Sequence, residues 1–300
     1  MRKLVALAVV IAAGAAGFWF LTAPQPLPAA EVPTGGDAAR GEAVFWAGGC
    51  AACHAAPGAT GDDRLVLAGG LALETPLGPI VAPNISPSAA GIGEWSDAEF
   101  ANALLRGISP EGTHYTPAFP WASYRNMRPQ DVADLRAFMA TLPPSDNAAE
   151  ATGLPFPFSW RRPIGLWKRF ALTDPPPVPD GADDTVQRGY YLTVALGHCG
   201  ECHTPRTTLF AMDPARWLAG APNPDGDGTV PNITPSSAGI GDWPASDIAY
   251  LLETGFTPDF DSVGGSMSPV VTNWGHVPAG DREAVAAYLK AIPPVTEPAQ

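Results

Sequence analysis

Six residues constrain this chain more than any other stretch: Gly49-Cys50-Ala51-Ala52-Cys53-His54, which returns as His198-Cys199-Gly200-Glu201-Cys202-His203. Both copies contain Cys-x-x-Cys-His, the spacing with which a chain attaches c-type haem. Two thiols three positions apart lie on one helical turn, where each can add to a vinyl group of the porphyrin. The next residue is then held beneath the ring, with its imidazole toward the iron. A bare Cys-x-x-Cys also serves zinc sites and redox dithiols. Here the histidine follows directly in both copies, and the two motifs use all four cysteines. The expectation is two covalently bound c-type haems, attached through Cys50, Cys53, Cys199 and Cys202, with His54 and His203 as proximal ligands. The competing readings are a four-thiolate zinc site and a redox dithiol.

At 300 residues the chain has room for two ordinary domains. Its 17 basic against 30 acidic residues, net −13, argue against a nucleic-acid partner, which needs a basic footprint. They suit an exported protein that meets basic patches on redox partners. With 35 prolines, 32 glycines and only 16% charged residues, long regular elements are not expected. The pattern predicts short helices joined by loops, and a cofactor that completes the core.

The first 21 residues open with Arg2-Lys3 and continue from Leu4 to Leu21 without a charge. That is either a membrane anchor or a cleaved signal. The length of the run and its Phe18-Trp19-Phe20 end favour an anchor, and Ala23 and Ala29-Ala30 offer cleavage sites. Arg2 and Lys3 would stay inside and the remainder would be exported. Residues 22–36 are rich in Pro, Ala and Gly and are expected to form a tether.

Two segments, 37–143 and 185–294, repeat each other. Pro83-Asn84-Ile85-Ser86-Pro87 through Gly91-Ile92-Gly93-Glu94-Trp95 matches Pro231-Asn232-Ile233-Thr234-Pro235 through Gly239-Ile240-Gly241-Asp242-Trp243, 148 positions on, while the haem cysteines repeat at 149. In each copy a helix leads into the haem motif, from Asp37 to Phe45 and from Val186 to Ala195. Ser96 and Glu99 form a capping box for a second helix that ends at Gly107; its counterpart runs from about Pro244 to Gly255. A last helix carries Val132, Leu135, Phe138 and Met139 on one face, its twin Val285, Tyr288, Leu289 and Ile292, and both stop at Pro-Pro. Between the repeats, residues 144–184 form a Pro-rich strap. Four of the chain's basic residues there stand among Phe158, Trp160, Trp167 and Phe170. Burial of those aromatics against both domains is the expected outcome, with contact to lipid headgroups or haem propionates as the alternative.

The repeated Pro-Asn-Ile-Ser/Thr-Pro and Gly-Ile-Gly-x-Trp segments resemble the cytochrome c subunits of membrane-bound bacterial alcohol, gluconate and sorbitol dehydrogenases, over about 40–143 and 185–294. Those subunits carry three haem domains; this chain resembles their diheme relatives. The resemblance implies an all-α, loop-rich fold of two tandem class I cytochrome c domains behind an N-terminal transmembrane or signal helix. It also implies a periplasmic, membrane-attached electron carrier. Such a protein takes electrons from a dehydrogenase and passes them to quinone, a soluble cytochrome or a terminal oxidase. No nucleophile motif, phosphate loop or nucleotide fingerprint points to catalysis by the chain itself. The alternative is a diheme enzyme, of peroxidase or thiosulfate-oxidising type, with an unusual or open first haem.

A carrier haem needs a second axial ligand. In the second repeat Met267 stands in the loop where the resemblance expects one. In the first repeat the family's Pro-Ala-Met-Pro is Pro117-Ala118-Phe119-Pro120, and phenylalanine cannot bind iron. Met127 is the leading candidate there, with His114 or an open iron as alternatives. Met212 and Met139 read as packing, His198 as local structure, and His276 as a weak rival to Met267. Trp95, Trp243, Arg40 and Arg188 read as packing or helix-start residues, with haem propionates as conceivable partners.

Overall fold

Helices supply most of the regular structure in the computed structural model, which describes residues 1–75, 78–148, 154–223, 226 and 228–296. The chain begins with α1 (Arg2–Leu21), a 20-residue apolar helix none of whose side chains is buried. The first half then holds α2 (Ala38–Ala47), α3 (Cys50–His54), α4 (Asp97–Arg106), α5 (Trp121–Tyr124) and α6 (Pro129–Met139). After α7 (Ile164–Phe170) in the connection, the second half repeats the order: α8 (Asp184–Tyr191), α9 (Gly200–His203), α10 (Ala245–Thr254), α11 (Met267–Trp274) and α12 (Ala279–Ala291). The helix leading into the second haem motif continues past α8 as one wide turn over Leu192–Leu196. Two small antiparallel hairpins and three short 3-10 turns, at Ala29–Glu31, Gly61–Leu65 and Pro214–Arg216, accompany the helices. β1 (Ala72–Leu73) pairs with β2 (Ile80–Val81), and β3 (Ala221–Pro222) with β4 (Thr229–Val230).

Local chemistry accounts for the helix boundaries. Asp37 caps α2 by accepting from the backbone N–H groups of Ala39 and Arg40. The Ser96–Glu99 capping box is formed. Gly107 and Gly255 end α4 and α10 with φ of 56° and 81°, a left-handed conformation that glycine adopts without a Cβ penalty.

The first and last helices of each half cross with their backbones in contact. A Cβ on Gly41 would stand 2.0 Å from the Asp134 carbonyl oxygen, and one on Gly189 1.8 Å from that of Ala284. Both crossings are pinned by an ion pair. Arg40 Nε donates to Asp134 Oδ2 at 2.7 Å, and Arg188 Nη2 to Asp281 Oδ2 at 2.7 Å. These two arginines, read above as helix-start residues with propionates as conceivable partners, join helices. Phe45, Val132, Leu192, Val285 and Tyr288 fill the interior, and one apolar cluster runs through both halves.

The connecting segments are docked. Along the expected tether 22–36, Thr22 is fully buried and Leu27 N–H donates to Asn102 Oδ1 at 2.8 Å. A Cβ on Gly36 would overlap the Ala133 carbonyl. In the strap, of which residues 149–153 lie outside the described residues, Lys168 donates to the carbonyls of Arg106 and Gly107 in the first half, and Thr173 Oγ1 to Met212 O in the second. The burial expected for its aromatics fails. Trp167 packs edge-on against Trp121, but Phe158, Trp160 and Phe170 are exposed.

A methyl group at the second crossing has no room. Gly189→Ala should lower stability by about 3 kcal/mol through overpacking against backbone. Gly280→Ala in the partner helix, where a Cβ meets open space, should leave the thermal midpoint within a degree or so of the parent.

Candidate haem-attachment sites

α3 carries Cys50, Cys53 and His54 within one short helix, and the turn from Cys199 through α9 carries Cys199, Cys202 and His203. Gly49 precedes the first helix at φ 72°. Burial pushes the Cys50 and Cys199 thiols up to about 12, so neither is a ready thiolate of the kind a redox dithiol uses. Among the described residues no three His, Cys, Asp or Glu side chains gather into a metal site, and the two cysteine pairs do not form a four-thiolate cage.

Each histidine is oriented by one main-chain acceptor. His54 Nδ1 lies 2.8 Å from the Pro83 carbonyl oxygen, and His203 Nδ1 lies 2.8 Å from that of Pro231. A carbonyl can only accept, so Nδ1 carries the proton and the Nε2 lone pair is left for a metal. Burial lowers both imidazole pKa values, and the carbonyl partner raises them. The arrangement presents a neutral imidazole with a fixed tautomer, as the ligand of a haem iron requires.

The repeated Pro-Asn-Ile segment makes that acceptor available. Asn84 Oδ1 accepts from Ser86 N–H at 2.8 Å, and Asn232 Oδ1 from Thr234 N–H at 2.8 Å, an Asx turn in both copies. The amide of each reaches the chain beyond the last helix: Asn84 Nδ2 to Ser145 O at 2.7 Å, Asn232 Nδ2 to Val295 O at 2.7 Å. The glycines fit the same turn, for a Cβ on Gly91 would come within 2.3 Å of Ser86 O and one on Gly239 within 2.5 Å of Thr234 O. A cation from the last helix closes it. Arg136 Nη2 donates to Trp95 O at 2.7 Å, and Lys290 Nζ to Trp243 O at 3.0 Å. Sequence reading missed the Pro83 and Pro231 carbonyls and these clamps; the signal was the repeated motif, which there marks the duplication and the family resemblance and is given no role at the histidines.

The two haem motifs face each other. Trp46 of the first half stacks on His276 of the second, ring centroids 4.0 Å apart and 15° from parallel. Arg64 Nη2 donates to Asn273 Oδ1 at 2.5 Å, and Ser123 Oγ to Glu201 Oε1 at 2.9 Å. His198 lies edge-on to Tyr124, whose hydroxyl donates to Gly48 O at 2.5 Å. Gly48 precedes the first motif, His198 directly precedes Cys199, and Glu201 lies inside the second motif. Burial against this surface lowers the His198 pKa.

The sixth-ligand candidates sit differently in the two halves. Met267 is half-buried at the start of α11 and packs on the core. Met127 is buried, and its N–H donates to Tyr124 O just as Val277 N–H donates to Trp274 O. Met127 therefore occupies the place of Val277, whereas Met267 comes seven residues before Trp274. Phe119 sits between the rings of Tyr115 and Tyr124. His114 is buried with Nε2 3.0 Å from the Thr22 carbonyl, engaged at the end of α1. Met139 and Met212 are core residues.

Comparison with known proteins gives one family match and three relatives. Residues 38–143 match the family model described as Cytochrome c. The chain is 52% identical over 290 residues to a diheme cytochrome c-type protein of Cereibacter sphaeroides, covering 96% of this chain and 97% of that one. It is 38% identical to the fructose dehydrogenase cytochrome subunit of Gluconobacter japonicus (87% of this chain, 54% of that subunit) and 33% identical to the gluconate 2-dehydrogenase cytochrome c subunit of Pantoea cypripedii (84% and 59%). The chain thus spans a little over half the length of those two dehydrogenase subunits.

Gly239→Ala should displace the turn that carries the Pro231 carbonyl and leave His203 without its acceptor. The expected result is loss of covalent haem from the second motif with the first retained, read by intact-chain and peptide mass spectrometry.

Proposed function

This chain belongs to the diheme c-type cytochrome family, and from that premise we propose that it is a periplasmic, membrane-anchored electron carrier serving a partner dehydrogenase. Each half is read as one class I cytochrome c domain. Cys50, Cys53, Cys199 and Cys202 would hold the porphyrins, and His54 and His203 would each offer Nε2 to an iron. When bound, haem iron supplies a one-electron couple at each motif. The observation that carries the reading is the repeated bond from histidine Nδ1–H to a proline carbonyl. It fixes the ligand nitrogen in both halves and leaves no proton-transfer task for the imidazole.

The electron donor is read as a dehydrogenase, since relatives of this chain are cytochrome subunits of such enzymes. Quinone, a soluble cytochrome or a terminal oxidase would accept the electrons. The Trp46–His276 stack and the Arg64–Asn273 bond hold the two motifs against each other, which supports transfer between the haems inside one chain. The net charge of −13 favours basic partner surfaces and makes encounter sensitive to salt. Retention of α1 as an anchor is supported by side chains of the body that bond to its last carbonyls, Arg162 to Trp19 O and Arg169 to Leu21 O. Cleavage at Ala23 or beyond would remove those acceptors.

Met267 and Met127 are proposed as the distal ligands. Met267→Ala and Met127→Ala should each lower the potential of one haem and remove its share of the far-red methionine–iron band. An unchanged first haem in Met127→Ala would contradict the assignment. Reduction by the partner dehydrogenase should slow by about tenfold or more between low and physiological ionic strength; a rate independent of salt would contradict electrostatic docking.

A further inference from the structure

We propose that the strap segment 156–170, with the adjoining Leu209–Phe210 loop, is a collar that seats in the headgroup layer of an anionic bilayer around the exported end of α1. The proposal rests on the reading of α1 as a retained membrane helix. At about 1.5 Å per residue, 20 residues reach roughly the thickness of a hydrocarbon core. The helix ends with Trp19 and Phe20 exposed, the residue types that mark the level of the membrane interface.

That end is gripped by the strap. Arg162 Nε donates to Thr22 Oγ1 at 2.8 Å and its Nη2 to Trp19 O at 2.6 Å, while Arg169 Nε donates to Leu21 O at 3.0 Å. The Arg162 guanidinium lies over the Trp19 ring, 4.2 Å from its centroid, and Trp160 packs on Phe18 at 5.3 Å. Gly165 backs directly onto Thr22, where a Cβ would meet the carbonyl oxygen at 2.6 Å. Cations satisfy the last carbonyls of the helix and its negative dipole end. The strap is therefore fixed at the height of the helix end and follows α1 wherever it inserts.

Its composition suits that height. Phe156 is 80% exposed and Phe170 72%, with Phe158 and Trp160 each at 46%. Trp167 Nε1 donates to Leu209 O at 2.7 Å, bringing in a loop whose Phe210 is 80% exposed at φ 62°. Aromatic side chains left in water beside an apolar helix end are covered when the headgroup and upper acyl region closes over them. Arg161, Arg162, Lys168 and Arg169 are four of the chain's 17 basic residues. They reverse the charge locally in a chain that anionic lipid would otherwise repel. Helix and collar together give the first half two points of attachment and a set orientation above the bilayer.

The test uses the full chain in vesicles of phosphatidylethanolamine and phosphatidylglycerol that contain a phospholipid with a diazirine close to its glycerol backbone. After irradiation, lipid adducts are located by peptide mass spectrometry. The proposal expects adducts within 156–170 and at 209–210, together with adducts at the end of α1. The triple variant Phe156→Ser, Phe158→Ser, Phe170→Ser alters exposed side chains, and should cut the strap adducts by about threefold or more while α1 adducts and the absorption spectrum stay unchanged. Adducts on α1 with none on the strap would overturn the collar and leave the anchor standing. A mature N-terminus beyond residue 23, with no adducts on either, would overturn both. The same probe in native membranes overturns the proposal if the strap cross-links to a protein and takes up no lipid.

Discussion

Two hydrogen bonds carry more of this structure's meaning than their individual energies imply. Each runs from a histidine Nδ1–H to the carbonyl of a proline 28 or 29 residues later, Pro83 for His54 and Pro231 for His203. A neutral backbone bond contributes on the order of 1 kcal/mol net, yet its directional effect is large. It decides which ring nitrogen is left free to ligate a metal, and it brings the intervening loop back to the motif. Much of each half is then built to hold that carbonyl in place. The asparagine after the proline closes an Asx turn and ties it to the chain beyond the last helix. A glycine lets the turn close on itself. A cation on the last helix clamps the carbonyls at its far end. The last helix in turn crosses the first at a glycine, locked by an arginine–aspartate pair.

The halves meet through the residues that flank the motifs. Gly48, Gly49, His198 and Glu201 have little freedom, since they border or lie within the Cys-x-x-Cys-His turns. An interface built on them through Tyr124, Ser123, Trp46, His276, Arg64 and Asn273 fixes one motif relative to the other. For an electron carrier this is the useful rigidity, because tunnelling between cofactors depends on their separation and the protein need not move. Asymmetry enters with the two methionines proposed as sixth ligands, since Met267 and Met127 occupy different places in the repeat.

Motif spacing, capping residues and the duplication made the helices legible from the sequence. Asp37, the Ser96–Glu99 box and Gly107 mark boundaries found within a residue or two, because short-range capping chemistry sets them. Long-range pairings were not legible. Arg40 and Arg188 read only as helix-start residues, since nothing local announces partners 93 or 94 residues away. His114 looked like a ligand candidate, and its partner is the carbonyl of Thr22, 92 residues earlier. The strap aromatics misled for another reason. The rule that aromatic side chains are buried assumes water on the outside, and that assumption fails beside an exposed 20-residue apolar helix.

The central claim is that two motifs in one chain hold two six-coordinate haems poised for one-electron exchange. A potentiometric titration of the full-length protein, followed by optical absorption and electron paramagnetic resonance, tests it most directly. The account predicts two one-electron waves at distinct potentials and, in the oxidised protein, two low-spin ferric signals with no high-spin component. A single one-electron wave, or a high-spin ferric signal from the first haem, would contradict it.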